Sequence, residues 1–239
     1  MIKIPTVDDW WDLTKMFPKS RKLSNTPLKD YGYMEINEYI KEHKPKRILE
    51  FGHGLTIDSD LTPFNYGDIF EIWGADDWQG LHYFPEKDTW YNTHSQIHSK
   101  YPNIKLVKGL LGDKRNLQDI PLNYFDLVCS VSVIEEIEID ILQKVIKHCY
   151  DLLKKGGCFL NTHDTQLGDT NRLIEVVETF KSCGFHIDSI DRNSIDWNAL
   201  AYRAWLENPF GAMVYYQGHQ DEDRKYWGHW ATALIVAYK

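Results

Sequence analysis

The sequence predicts an α/β fold: a seven-stranded, doubly wound, mostly parallel sheet with helices on both faces. Three observations carry this. Short apolar runs alternate with stretches of helical periodicity along most of the chain. The run Phe125-Asp126-Leu127-Val128-Cys129 reads as a strand covered on both sides. An acidic-x-Gly-x-Gly turn, Glu50-Phe51-Gly52-His53-Gly54, closes an apolar run that begins near Arg47.

Each element follows in order. Residues 1–32, rich in Trp, Pro and Lys, read as irregular with one short helix around Asp9 to Phe17. Residues 33–43 read as a helix that Pro45 stops, since proline cannot continue the backbone ladder. Strands are expected at Arg47 to Phe51, Asp68 to Asp76, Asn103 to Lys108 and Tyr124 to Val131, with a helix over 88–100. In 139–153 the residues Ile139, Leu142, Val145, Ile146, Cys149, Leu152 and Leu153 recur at helical spacing, and Gly156-Gly157 ends that helix. A fifth strand spans Cys158 to Thr162 and a helix spans 170–183, with Gly184 as its stop. The sixth and seventh strands are Phe185 to Ile190 and Ala231 to Tyr238. Between them lies a long aromatic stretch, including Trp197, Tyr202, Trp205, Tyr215, Tyr216 and Trp227. A connection this long inside a compact domain is functional or has structure of its own. The expected units are a cap at 1–45, an α/β core at 46–192, a cap insertion at 193–228 and the last core strand at 229–239.

Composition narrows the function. The 239 residues suffice for one α/β domain with a small cap. A net charge of −8 and no basic stripe argue against a nucleic-acid partner. The patch from Lys15 to Lys22 reads as a solvated face. No apolar stretch is long enough to span a bilayer, and the N-terminus lacks a signal-peptide core, so a cytoplasmic protein without membrane contact is expected. Cys129, Cys149, Cys158 and Cys183 sit in apolar segments with no CxxC, as buried free thiols do.

The chemistry-bearing segments come in a fixed sequence. Glu50-x-Gly52-x-Gly54 follows the first strand, and Gly74-Ala75-Asp76 closes the second. Gly112-Asp113 follows the third, Phe125-Asp126-Leu127-Val128 opens the fourth, and Leu153-Lys154-Lys155-Gly156-Gly157 precedes the fifth. This ordered set resembles the class I S-adenosylmethionine-dependent methyltransferase family, over roughly 46–191 and 229–239. The resemblance implies a Rossmann-like methyltransferase fold and S-adenosylmethionine as cofactor. It implies that Gly52, His53 and Gly54 cradle the methionine portion, with Glu50 near its amine. Asp76 would accept both ribose hydroxyls, because a carboxylate offers two acceptor oxygens. Leu111 and Gly112 would flank the adenine and Asp113 would accept from its amino group. Ser130, Val131 and Ser132 would face the methyl end. The sequence departs from the family in having Leu55-Thr56 where a further glycine is frequent. The interval from Glu50 to Asp76 is long for the family, so Asp77 stands beside Asp76 as a second candidate. Either aspartate is also compatible with a turn or a helix cap.

Catalytic candidates lie at the ends of the fourth and fifth strands. Family members commonly carry a histidine near the position of Glu136; Glu135 and Glu136 also suit a helix N-terminus. Asn161-Thr162-His163-Asp164 ends the fifth strand, and His163 with Asp164 is the first choice of base, since imidazole titrates near neutrality. A surface loop with a helix cap is the competing reading of that tetrapeptide. His219 and His229 line a pocket or are ordinary surface residues. No pair of histidines on one helical face is seen, and no metal is assigned. The expectation is O-methylation of a small polar or carbohydrate-like acceptor, with Trp90, Tyr91 and the late aromatics available to stack on sugar faces. The assembly is left open, a homodimer included. The rivals are a nicotinamide-dependent oxidoreductase, which would want a full Gly-x-Gly-x-x-Gly, and a catalytically silent methyltransferase-like binding subunit.

Overall fold

The structure, a computed structural model, describes residues 2–3, 15, 27–54, 61–77, 89–109, 111–112, 119–166, 171–187 and 230–239. The expected helix around Asp9 to Phe17 falls outside these residues apart from Lys15, as does the aromatic insertion at 193–228.

Helix α1 (Pro27–His43) opens on a proline, carries Asp30 in its first turn and ends with Lys41 and His43 in its last. That charge order suits the helix dipole, and proline suits the first helical position. The helix therefore begins well before residue 33, and residues 27–32 are helical rather than irregular. Strands β2 (Arg47–Phe51), β3 (Glu71–Asp76), β4 (Lys105–Lys108), β5 (Phe125–Val131) and β6 (Leu153–Gln166) run parallel. Strand β7 (Trp230–Tyr238) is antiparallel to β6, and β1 (Ile2–Lys3) is antiparallel to β7. The sheet order is β1-β7-β6-β5-β2-β3-β4. The count of seven agrees with expectation, but one member differs. Of the expected strand at Phe185 to Ile190, the described part contributes a single antiparallel bridge from His186 to Tyr238. The short strand β1 occupies the outer edge of β7 instead, with Ile2 opposite Ile235.

Helices cover both faces. Helix α3 (Ile139–Leu152) buries Leu142, Val145, Ile146, Cys149 and Leu152 against Val128 and Phe159. Helix α4 (Asn171–Ser182) adds Leu173, Val176 and Phe180 to the same core. On the opposite face Met34, Ile36 and Ile40 of α1 and Ile97 of α2 (Thr89–Lys100) meet Leu127, Cys129, Leu160 and Val236. Each such side chain contributes about 1.5–3 kcal/mol when removed from water. All four cysteines are free and buried. Among the described residues no helix is long and apolar enough to cross a membrane.

Helix α3 ends at Leu152, ahead of Gly156-Gly157, because β6 starts at once. Leu153 pairs with Phe125, and after a register shift Cys158 pairs with Leu127. At the amino ends of the strands Glu71 gathers Trp73 Nε1 (2.9 Å), Lys105 Nζ (2.7 Å) and the Tyr124 hydroxyl (2.9 Å). Burial alone would raise its carboxyl, but these donors and the Lys105 charge outweigh it and draw the group down to about 2.

Gly74, central in β3, marks the tightest packing in this half of the sheet. A Cβ there would stand 2.8 Å from Phe64, 2.9 Å from Leu106 and 3.1 Å from His53 side-chain atoms. Gly74→Ala is expected to lower stability by about 1–3 kcal/mol through overpacking, although alanine is otherwise the better strand residue. Denaturant unfolding of the two proteins measures the difference.

Candidate active site

The parallel strands all end on one side of the sheet, where open α/β sheets bind ligands. Strand β2 is central: Glu50 is level with Gly74 of β3 and Cys129 of β5. Past Phe51 the chain turns through Gly52 (φ 64°) and Gly54 (φ 53°), a backbone region that glycine enters without strain. The Gly52 N–H donates to the Ala75 carbonyl at 2.8 Å, and the Gly54 N–H donates to Asp76 Oδ2 at 2.8 Å. A Cβ on Gly52 would collide with Val133 at 2.6 Å, whereas one on Gly54 would meet nothing within 4 Å. Among the described residues the turn is thus anchored underneath at Gly52 and uncrowded at Gly54. Asp76 ends β3 half-buried, and Asp77 follows it half-buried.

His53 is buried inside the turn. Its Nδ1 lies 3.2 Å from the Gly54 carbonyl and its ring stands edge-on to Phe64, 5.2 Å between centroids. Burial lowers its titration, with Asp76 opposing; it is a neutral ring that shapes the turn.

Glu50 is almost wholly buried. The Tyr33 hydroxyl of α1 donates to Oε1 at 3.1 Å and the Thr62 hydroxyl donates to Oε2 at 3.3 Å. Burial pushes the carboxyl up to about 8, against the lowering effect of those two hydrogen bonds. Both oxygens of the expected amine acceptor are therefore already engaged from within the protein. Neither Tyr33 nor Thr62 is singled out by the sequence, because nothing local in either segment reports a partner so far along the chain.

Leu111 is buried, and Gly112 (φ 94°) donates its N–H to His148 Nδ1 at 3.0 Å. His148 is a buried histidine within the apolar stripe of α3, a signal the sequence does carry. Asp113 lies outside the described residues.

At the ends of β5 and β6 the side chains alternate between the two faces. Toward α3 and α4 point Ser130, which donates to Asn161 Oδ1 at 2.6 Å, and His163. His163 is fully buried, with Nδ1 3.8 Å from Glu135 Oε2, and burial and then Arg172 lower it to about 4. Toward α1 point Thr162 and Asp164, where α1 comes closest at Gly32, whose Cβ would stand 2.6 Å from Thr162 Oγ1. His163 and Asp164 are chain neighbours on opposite faces, so they do not form a hydrogen-bonded dyad. Asp164 is 6% exposed, and burial raises its carboxyl, with Ser132, Thr232 and Lys29 opposing. Its own N–H donates to Glu135 Oε1 at 3.1 Å. Val131 is buried, and Ser132 turns with φ 53° and donates its N–H to the Thr162 carbonyl at 3.1 Å. Glu136 is exposed in the short turn Ile134–Glu136. Ser132 Oγ, Glu135 Oε2, Thr162 Oγ1, both ring nitrogens of His163, Asp164 Oδ1 and Thr232 Oγ1 are buried without hydrogen-bond partners. Such a concentration of buried orphans at one sheet end is rare outside functional sites.

Two histidines do share one helical face, contrary to the sequence reading: His94 and His98 of α2 stack with centroids 6.0 Å apart. Among the described residues no group of three or more His, Cys, Asp or Glu is placed to hold a metal.

With this geometry in place, the chain can be set beside known proteins. The family model for a methyltransferase domain matches residues 82–161. The matched segment is about a third of the chain; over it the chain is similar to methyltransferase domains, and the fold is that of class I S-adenosylmethionine-dependent methyltransferases. A TehB-like SAM-dependent methyltransferase from Corynebacterium glutamicum aligns at TM-score 0.53 and 14% identity, covering 96% of this chain and 97% of that one. The YcgJ protein from Bacillus subtilis aligns at TM-score 0.51 and 12% identity, over 84% and 96%. The [4+2]-cyclase SpnF aligns at TM-score 0.50 and 17% identity, over 81% and 75%. At these identities the likeness is one of fold. No curated protein sequence matches the chain.

Glu50 supplies a test of the site's electrostatics. Its folded pKa of about 8 lies above its ordinary value of 4.5, so its stabilising contribution is complete below pH 4.5 and is lost as pH rises through 8. Glu50→Gln copies the protonated shape, and its amide can donate to Thr62. Thermal melts across pH 5 to 9 are expected to decline in the wild type and to flatten in this variant.

Proposed function

We propose that the protein O-methylates a small polar or carbohydrate-like acceptor seated over the ends of β5 and β6. The observation that carries this reading is the cluster of buried oxygen atoms there, Ser132 Oγ, Thr162 Oγ1, Asp164 Oδ1 and Thr232 Oγ1, with Ser132 and Thr232 close enough to Asp164 to act on its carboxyl. Hydroxyls both donate and accept, so this set suits a hydroxylated ligand. Trp90, Tyr91 and the late aromatics support a sugar-like acceptor from the sequence side. That a cyclase has the same fold means the sheet alone does not select the acceptor.

The residues present fit the cofactor. Gly54 offers backbone against which a ligand can lie, and Asp76, tied to that turn through the Gly54 N–H, stands at the end of β3 where a carboxylate can accept from ribose hydroxyls. Leu111 and Gly112 offer an adenine edge, held from behind by His148. When bound, S-adenosylmethionine supplies an electrophilic methyl on a positively charged sulfur. The protein's share is then to position an acceptor oxygen and to receive its proton. We assign the proton to Asp164. A buried carboxylate whose pKa is raised is a stronger base, and Asp164 faces the hydroxyl set. His163, the first choice from sequence, holds second place. Sealed under α4 and titrating near 4, it is neutral at pH 7 but has no path to an acceptor on the other face. Glu136, exposed, comes third.

Calorimetry should detect binding of S-adenosylmethionine and of its demethylated product. Asp76→Ala is expected to weaken both by roughly 1.5–3 kcal/mol for each charge-assisted bond removed. If Asp77→Ala weakens binding and Asp76→Ala does not, the ribose partner is Asp77. A screen of sugar nucleotides and small acids with labelled cofactor identifies the acceptor. On that acceptor, Asp164→Asn should slow turnover by about 10²–10⁴ with cofactor affinity nearly unchanged. Label recovered on nitrogen rather than oxygen would overturn the O-methylation reading.

A further inference from the structure

Glu135 is a strongly buried carboxyl beside the ends of β5 and β6 that the proposed chemistry does not use. Its side chain is 8% exposed, although it sits in a turn beside the exposed Glu136. Its Oε1 accepts the backbone N–H of Asp164 at 3.1 Å, which places two carboxyl groups from adjoining segments at one sheet end. Each keeps one buried oxygen without a hydrogen bond, Oε2 on Glu135 and Oδ1 on Asp164. Among the described residues no lysine or arginine forms an ion pair with either one. The charged and titratable neighbours are few. Arg172 of α4 donates to the Ile137 carbonyl and pairs with Glu175 at 3.5 Å. Lys29 of α1 acts on Asp164 only through space. His163 of β6 is 3.8 Å from Glu135 and is neutral, and Glu136 adds negative charge. Two buried carboxylates that meet no cation among the described residues do not both stay ionised at neutral pH, because each is desolvated and each repels the other.

We propose that Glu135 and Asp164 carry one proton in total at neutral pH, one carboxyl neutral and the other ionised, and act as one acid–base unit at the acceptor end, with Glu135 as the positioning residue of Asp164. One carboxylate is then available at neutral pH. When it receives a proton from an acceptor hydroxyl both groups become neutral, the state that burial favours. The same hydrogen bond to the Asp164 N–H keeps the end of β6 against the 134–136 turn, so the side chain that faces the acceptor is fixed from behind. This rests on the reading of Asp164 as the base, but the shared proton is measurable without any acceptor.

The experiment is a carboxyl-carbon NMR titration of the whole protein labelled at Asp and Glu, free and with S-adenosylhomocysteine. Glu135→Gln and Asp164→Asn assign the two signals. In the wild type the pair should titrate in two steps separated by at least about two pH units, the upper one near or above neutrality. Removing either carboxyl should lower the midpoint of the other by more than about one unit, because the repulsion is gone. A wild-type protein in which both groups ionise together near pH 4 would overturn the proposal, and so would a partner midpoint that stays put in the variants. Should a variant fail to fold, the wild-type two-step titration decides by itself. A two-step titration in a protein that binds no S-adenosylhomocysteine would uphold the pair and remove the catalytic reading. Normal binding with a single-step titration would do the reverse.

Discussion

The hydrogen bond from the Gly54 N–H to Asp76 is the contact on which the geometry of this site depends. It joins the turn after β2 to the end of β3, and so fixes two neighbouring strand ends relative to each other. Its length is set from below. Parallel pairing puts Glu50 level with Gly74, and the Gly52 N–H reaches the Ala75 carbonyl, leaving the turn one path upward. Gly74 must be glycine for Phe64 and His53 to pack there. Cofactor geometry and core packing in this half of the sheet are one constraint.

The other half works differently. Around β5 and β6 the sheet is covered on both faces, yet polar groups collect at the strand ends instead of giving way to apolar ones. Glu50, Glu135 and Asp164 are all carboxyls whose protonation burial favours, and two of them are held by a donor from another segment: Tyr33 and Thr62 for Glu50, a main-chain N–H for Glu135. Buried polar groups of this kind cost stability unless they are satisfied. Their concentration on one side of the molecule, against an apolar interior elsewhere, separates the working end of the domain from its scaffold.

Much of the fold could be read from the sequence because it depends on local rules. The apolar runs, the helical period of 139–152 and the glycine turn each declare themselves within a few residues. What could not be read depends on contacts between distant segments. The start of α1 was hidden because Gly32 looks like a breaker, when it is the point where the helix meets Thr162. The reach of Tyr33 and Thr62 to Glu50 leaves no local trace. The pairing of His163 with Asp164 is plausible along the chain and fails across it, because successive strand residues face opposite ways. His94 and His98 were legible, at a spacing that puts them on one helix face, and were passed over.

The outer edge of β7 has a consequence for how the chain is made. Strand β6, with Phe159 and Leu160 on its two faces, gains its second neighbour only when β7 is available, and β7 is paired in turn by Ile2 and Lys3. On the ribosome the segments from α1 to α4 emerge first and can collapse together, while the margin of β6 stays open until residues 230–238 leave the exit tunnel. Ile2 must then meet Ile235, far along the chain, for the sheet to be finished. Closure of this kind comes late and is slow, because distant partners must find each other. An unpaired strand margin exposed for that interval is where a nascent chain meets other chains. Expression yield and chaperone demand in this protein should therefore respond to changes at the pairing of Ile2 with Ile235, beyond the loss of their packing in the finished fold.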